Sequence, residues 1–105
     1  MKAIFDKVSH DCSEITTKAY STSFSLGIKV LDKSLHNPIY GIYGFVRFAD
    51  EIVDSFHNYN KKELFKKYKS DTYLGINNKI SLNPIINSCR ASYPAGEFCS
   101  LFHAF

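Results

Sequence analysis

Arginine is almost missing from this chain of 105 residues; Arg47 and Arg90 are the only two. Lysine therefore supplies nearly all of a mild net charge of +3, and that balance argues against nucleic-acid recognition, which favours the forked guanidinium. No nucleic-acid partner is expected. Cys12, Cys89 and Cys99 are an odd set with no C-x-x-C pair. They exclude a disulfide framework and a cysteine zinc site, and read as reduced thiols. The chain has no P-loop, no G-x-G-x-x-G and no G-x-S-x-G, which removes the usual nucleotide-binding and hydrolase signatures. Met1–Cys12 lacks an apolar signal core, and no run reaches transmembrane length. A cytoplasmic protein is expected, with peripheral membrane contact left open. Strand alternation and internal repeats are also missing. A hydrophobic content of 45% rules out a disordered chain, so the expectation is one small all-α domain.

What is present is helical spacing. Residues 3–19 carry Ile4, Phe5, Val8, Cys12 and Ile15 at helical intervals, predicting a first amphipathic helix. A hydroxyl cluster follows, Tyr20-Ser21-Thr22-Ser23-Phe24, suited to a break or a helix start. A short helix over Phe24–Leu31 and a polar connection over Asp32–His36 come next. Asn37 and Pro38 read as an N-cap and first helical residue, opening a helix of about 20 residues. Lys61–Asn77 reads as a further helix with Leu64, Phe65, Tyr68 and Leu74 as its apolar positions. Its lysines read as a wet face. Asn83-Pro84 repeats the cap-and-proline start, and that last helix is expected to lose its pattern near Cys89, where Pro94 and Gly96 follow.

The segment Pro38–Phe56 holds the most information. Tyr40, Tyr43, Arg47, Asp50 and Asp54 recur at steps of three and four, predicting one polar stripe on a helix that is otherwise apolar. No lysine lies between Asn37 and His57. Such a helix is expected to be buried. Asp50 and Asp54 are one turn apart, and two like charges so placed repel, more strongly when desolvated. A divalent cation would remove the conflict; hard carboxylate oxygens suit Mg²⁺, which shares its shell with water and substrate phosphates. Arg47 would then serve as a phosphate donor. A plainer reading stays open, with Arg47 paired to Asp50 or Asp54 at a solvated edge. Gly41 and Gly44 inside the helix leave room for another backbone or a ligand. His36 and His57 lie at opposite ends of the helix and cannot share a metal.

This combination resembles the phytoene synthase and squalene synthase family of head-to-head prenyltransferases. The matching text is Tyr20–Phe24 and then Ile39–Asp54, within a resemblance covering about residues 10–88. The resemblance implies an all-α isoprenoid-synthase fold that condenses two prenyl diphosphates, geranylgeranyl or farnesyl, through a cyclopropyl intermediate. The implied product is a carotenoid precursor such as phytoene. It implies Mg²⁺ on Asp50 and Asp54, with these two and Arg47 as catalytic residues. It implies diphosphate contacts from Tyr43 and Arg47 and a closing segment of Ser21, Ser23 and Phe24. Glu51 stands where many members have a second aspartate. Full members are much longer and carry a second aspartate-rich motif, whereas after Asp54 this chain has only Glu63, Asp71 and Glu97. The expected organisation is a partial synthase domain over 1–88 and a tail over 89–105 from a shortened or frame-shifted gene. The chain alone is expected to be inactive, or to act as a diphosphate-binding or helical interaction fragment that needs a complementary C-terminal chain.

Overall fold

The computed structural model describes residues 2–93. Within them the order is α1 (Lys2–Tyr20), α2 (Thr22–Lys29), a 3₁₀ turn (Lys33–Leu35), α3 (His36–Asp54), α4 (Lys61–Asn78) and α5 (Pro84–Ser92), with no strand among the described residues. The all-α expectation therefore holds.

Local chemistry sets most of the boundaries. Ser21 caps α2, its hydroxyl accepting from Phe24 N at 3.2 Å. Asn60 caps α4 by accepting from Glu63 N at 3.1 Å. Asn83 caps α5 by accepting from Ile85 N and Ile86 N, with Pro84 in the first turn. Lys79 stops α4 in the left-handed region at φ 60°. The entry to α3 differs from the expected one. Asn37 does not cap it; the helix begins at His36, directly on the 3₁₀ turn. Asp32 caps that turn through Ser34 N, and Lys33 O already takes the His36 N–H. The leading amides thus have partners before Asn37 is reached, and Pro38 lies where a missing N–H costs nothing. At its other end α5 runs on through Ser92, past the point where its pattern was expected to fail. Residues 94–105 of the expected tail lie outside the described residues.

The core sits where α3, α4 and α5 meet. Phe45, Ala49, Ile52, Tyr68, Ile85, Ile86 and Cys89 pack as one cluster. A fully buried isoleucine such as Ile86 contributes about 2–3 kcal/mol. Tyr68 stacks on Phe45, ring centroids 5.3 Å apart, and donates its hydroxyl to Phe45 O at 2.9 Å. Burial pushes the Cys89 thiol up to about 12, so it stays protonated.

Helix α1 docks on a face that the apolar pattern did not indicate, and α4 on one that it indicated only in part, through Phe65 and Tyr68. On α1 the fully buried residues are Ser9, Ser13 and Thr17, while Ile4, Val8 and Ile15 are exposed. Small size decides this. Ser9 and Thr17 return their hydroxyls to carbonyls one turn back, Phe5 O and Ser13 O, while Ser13 Oγ between them is buried with no hydrogen-bond partner among the described residues. Gly44 meets Ser13 across the α1–α3 contact. Asn87, fully buried on α5, donates to Asp6 Oδ1 at 2.9 Å and Ser9 Oγ at 3.0 Å, and accepts from Ser81 N. On α4 the buried residues are Tyr68, Thr72 and Gly75, whereas Leu64 and Leu74 stay exposed. Lys62, Lys66, Lys67 and Lys69 are exposed, as a wet face requires.

Helices α3 and α5 approach closely at Gly41. A Cβ placed on Gly41 would lie 3.1 Å from Cys89 Cα and 3.3 Å from Ser88 O. That obstacle is backbone, and it cannot swing aside. A Cβ on Gly27 of α2 meets nothing within 4 Å. Gly27→Ala is therefore expected to stabilise by up to about 1 kcal/mol through helix propensity. Gly41→Ala is expected to destabilise by about 1 kcal/mol net, because overpacking of about 1–3 kcal/mol outweighs the same gain. Urea unfolding of the two variants checks the opposite signs.

His10 reaches the α1–α5 seam, with Nδ1 3.0 Å from Ser88 Oγ. Desolvation holds its pKa below the ordinary 6.5, and Asp6 and Asp11 offset part of this. A histidine depressed in the folded state is kept neutral by folding. Stability is then full above about pH 6.5 and falls as the pH drops below it, because the unfolded chain binds the proton first. Asp6, whose pKa is also lowered, loses its contribution only in more acid solution. Denaturation midpoints between pH 7 and 5 are expected to fall for the parent and to flatten for His10→Gln.

Candidate active site

Helix α3 is buried on one side only. At about 100° per residue, Gly41, Phe45, Ala49 and Ile52 share the core side. Tyr43, Arg47, Asp50 and Asp54 lie round the opposite side, and Asp54 is exposed. The five-residue stripe accordingly divides. Tyr40 turns into the protein, 2% exposed, with its ring edge-on to His36. The other four stay together on the open side, so the expectation of a helix submerged all round is corrected: close packing of α1 and α5 claims the small and core residues and leaves the polar ones outside.

The hydroxyl segment joins this open face. Phe24 stacks on Tyr43 with centroids 5.1 Å apart and planes inclined by 26°. Ser21 is occupied as the cap of α2, and Ser23 is exposed in its first turn. The expected closing segment and the α3 stripe are therefore neighbours, brought together by the tight turn between α1 and α2.

Arg47 does not pair with Asp50 or Asp54. Its Nη2 donates to Glu51 Oε1 at 2.9 Å, one turn onward. Ser55 Oγ donates to the same Glu51 oxygen at 3.2 Å. The Tyr20 ring, from the last residue of α1, covers the guanidinium with Cζ 5.0 Å from the ring centroid. Desolvation first, and then the Glu51 carboxylate, push the Tyr20 hydroxyl above its ordinary value, while Arg47 pulls it down. Arg47 Nε is buried with no hydrogen-bond partner among the described residues. Glu51, Tyr20 and Ser55 were not read as site residues from the sequence. The i, i+4, i+8 spacing of 47, 51 and 55 carried the signal for two of them; Tyr20 stands in the segment that carries the resemblance, but nothing local paired it with Arg47, which lies on another helix.

Asp50 is half-buried, and neither it nor Asp54 has an ion-pair or hydrogen-bond partner among the described residues. No group of three or more His, Cys, Asp or Glu side chains suited to a metal occurs among the described residues. Asp50 and Asp54 offer two hard oxygen donors, within the one or two carboxylates that Mg²⁺ takes when water and phosphate complete its shell. In that sense the donor set fits the ion. On the other flank of Glu51, α1, α3 and α4 border an open cleft of about 380 Å³, lined by Tyr20, Phe48, Phe56, Leu64 and Tyr68 among others. Asp50 and Asp54 do not line it.

No helix among the described residues is long and apolar enough to cross a membrane. No curated protein and no solved structure matches the chain. Residues 17–95 match the family model described as squalene/phytoene synthase. That span contains Tyr20, the α2 segment, all of α3 with its four-residue open stripe, and α5. The chain belongs to the squalene/phytoene synthase family.

Proposed function

We propose that this chain is the diphosphate-binding part of a prenyltransferase that joins two prenyl diphosphates head to head, geranylgeranyl diphosphate to phytoene being the reaction of choice. The observation that carries this reading is the pair of unpartnered carboxylates on the open face of α3 beside Arg47, Tyr43 and the stacked Phe24. Asp50 and Asp54 would hold Mg²⁺, which when bound neutralises charge developing on a departing diphosphate. Arg47 offers its remaining N–H donors to diphosphate oxygens, as a planar fork suits. Tyr43 lies one turn before Arg47 on the same side, within the region where a phosphate oxygen would accept its hydroxyl. Phe24, stacked on Tyr43, adds an aromatic surface beside that face, of the kind an allylic cation needs around it.

One aspartate pair supplies only part of such a site, so the chain is proposed to bind substrate without turnover by itself. Exposed Ile4, Val8 and Ile15 on α1, with Leu26 and Val30 on α2, favour a complementary chain carrying the remaining helices.

Calorimetry with farnesyl and geranylgeranyl diphosphates tests the reading. Binding is expected to need Mg²⁺, to vanish with a chelator, and to weaken about tenfold or more in Asp54→Ala, a loss of at least about 1.4 kcal/mol. Product is expected only when a chain bearing the second aspartate-rich motif is added. Binding indifferent to both Mg²⁺ and Asp54 would contradict the proposal.

A further inference from the structure

Arg47 has two acidic neighbours within reach along its own helix. Glu51 lies about 40° to one side of it round the axis and Asp50 about 60° to the other. Asp54, nearly two turns on, lies on the Asp50 side by about 20°. Either Asp50 or Glu51 has the spacing to take the guanidinium, i, i+3 or i, i+4. The structure contains only the second pair.

Three features fix that choice. Glu51 has the longer side chain and is itself held, since Ser55 donates to the oxygen that Arg47 uses. Tyr20 stands on the Glu51 side and covers the guanidinium face with its ring. The guanidinium lies in a half-buried setting, with 26% of the Arg47 side chain and 19% of the Glu51 side chain exposed. Asp50 has no such support among the described residues.

The geometry points to Glu51 as a positioning residue that draws Arg47 toward Tyr20 and away from Asp50, so that Asp50 and Asp54 stay without a counter-ion. An arginine paired to Asp50 would compete with any cation for the same oxygens. Glu51 is thus the internal acid that satisfies Arg47 and leaves the two aspartates open. The consequence for metal affinity rests on the reading of Asp50 and Asp54 as cation ligands; the placement of Arg47 does not.

Two measurements on the full chain separate these levels. In the labelled parent, nuclear Overhauser contacts are expected between the Arg47 side chain and the Tyr20 ring. In Glu51→Gln, and in Glu51→Ala should the first variant fold poorly, those contacts are expected to disappear and contacts to Asp50 to replace them. Mn²⁺ affinity, read by electron paramagnetic resonance of the free ion, is expected to fall about two- to fivefold in Glu51→Gln, the span that a partly exposed ion pair supports. In an Arg47→Gln background the same Glu51→Gln change is expected to have almost no effect. Arg47 remaining on Tyr20 in both variants overturns the assignment. An equal loss of Mn²⁺ affinity with and without Arg47 also overturns it, since that reports removal of a charge and not a diverted arginine. A parent whose Mn²⁺ binding is indifferent to Asp50→Asn and Asp54→Asn overturns the cation reading, while the Arg47 contacts still decide the role of Glu51.

Discussion

The backbone of α3 lies against that of α5 where Gly41 faces Cys89 and Ser88, and the remaining arrangement depends on that approach. It orients α3 about its axis. Once Gly41 is committed to α5, Phe45, Ala49 and Ile52 must enter the core, and Tyr43, Arg47, Asp50 and Asp54 must leave it. The same seam places α1, whose Ser9, Ser13 and Thr17 are small enough to pack where leucines would not fit. Placement of α1 then brings Tyr20 over Arg47. A backbone contact at one end of a helix thereby determines the electrostatic surroundings of an arginine nearly two turns away.

Those surroundings divide the charged groups of α3 into two sets. Arg47 and Glu51 satisfy each other in a half-buried cluster closed by Tyr20 and Ser55. Asp50 and Asp54 are excluded from it and carry two adjacent negative charges on the open face. Two carboxylates left together cost free energy unless a cation joins them, and the Arg47–Glu51 pair prevents the nearest arginine from relieving that cost. The aromatic stack of Phe24 on Tyr43 borders the same face, setting an apolar surface beside the ionic one.

The sequence made the helices legible because caps, prolines and periodicity are local. Ser21 and Asn83 act as caps where hydroxyl and amide residues suggested starts, and the 19 residues of α3 match the length of its pattern. The docking faces were less legible. Apolar spacing pointed to Ile4, Val8 and Ile15 on α1, but hydroxyl residues that bond their own helix behave as small packing residues, and no periodicity of hydrophobicity shows that. The four-residue face Tyr43, Arg47, Asp50 and Asp54 was legible because the 3.6-residue repeat fixes it. Tyr40 was misplaced because its ring is apolar enough for the core. The partner of Arg47 was missed because the choice between Asp50 and Glu51 depends in part on Tyr20, a residue on another helix.

The proposed role of Asp50 and Asp54, jointly and without a protein counter-ion, is to form a cation-attracting face. Titrating Mn²⁺ into the isotopically labelled chain and following paramagnetic broadening of backbone amide signals tests it directly. Broadening centred on 50–54 and extending to Arg47 and Tyr43 is the predicted result. Broadening centred on the acids of α1, Asp6, Asp11 and Glu14, with α3 untouched, would contradict it.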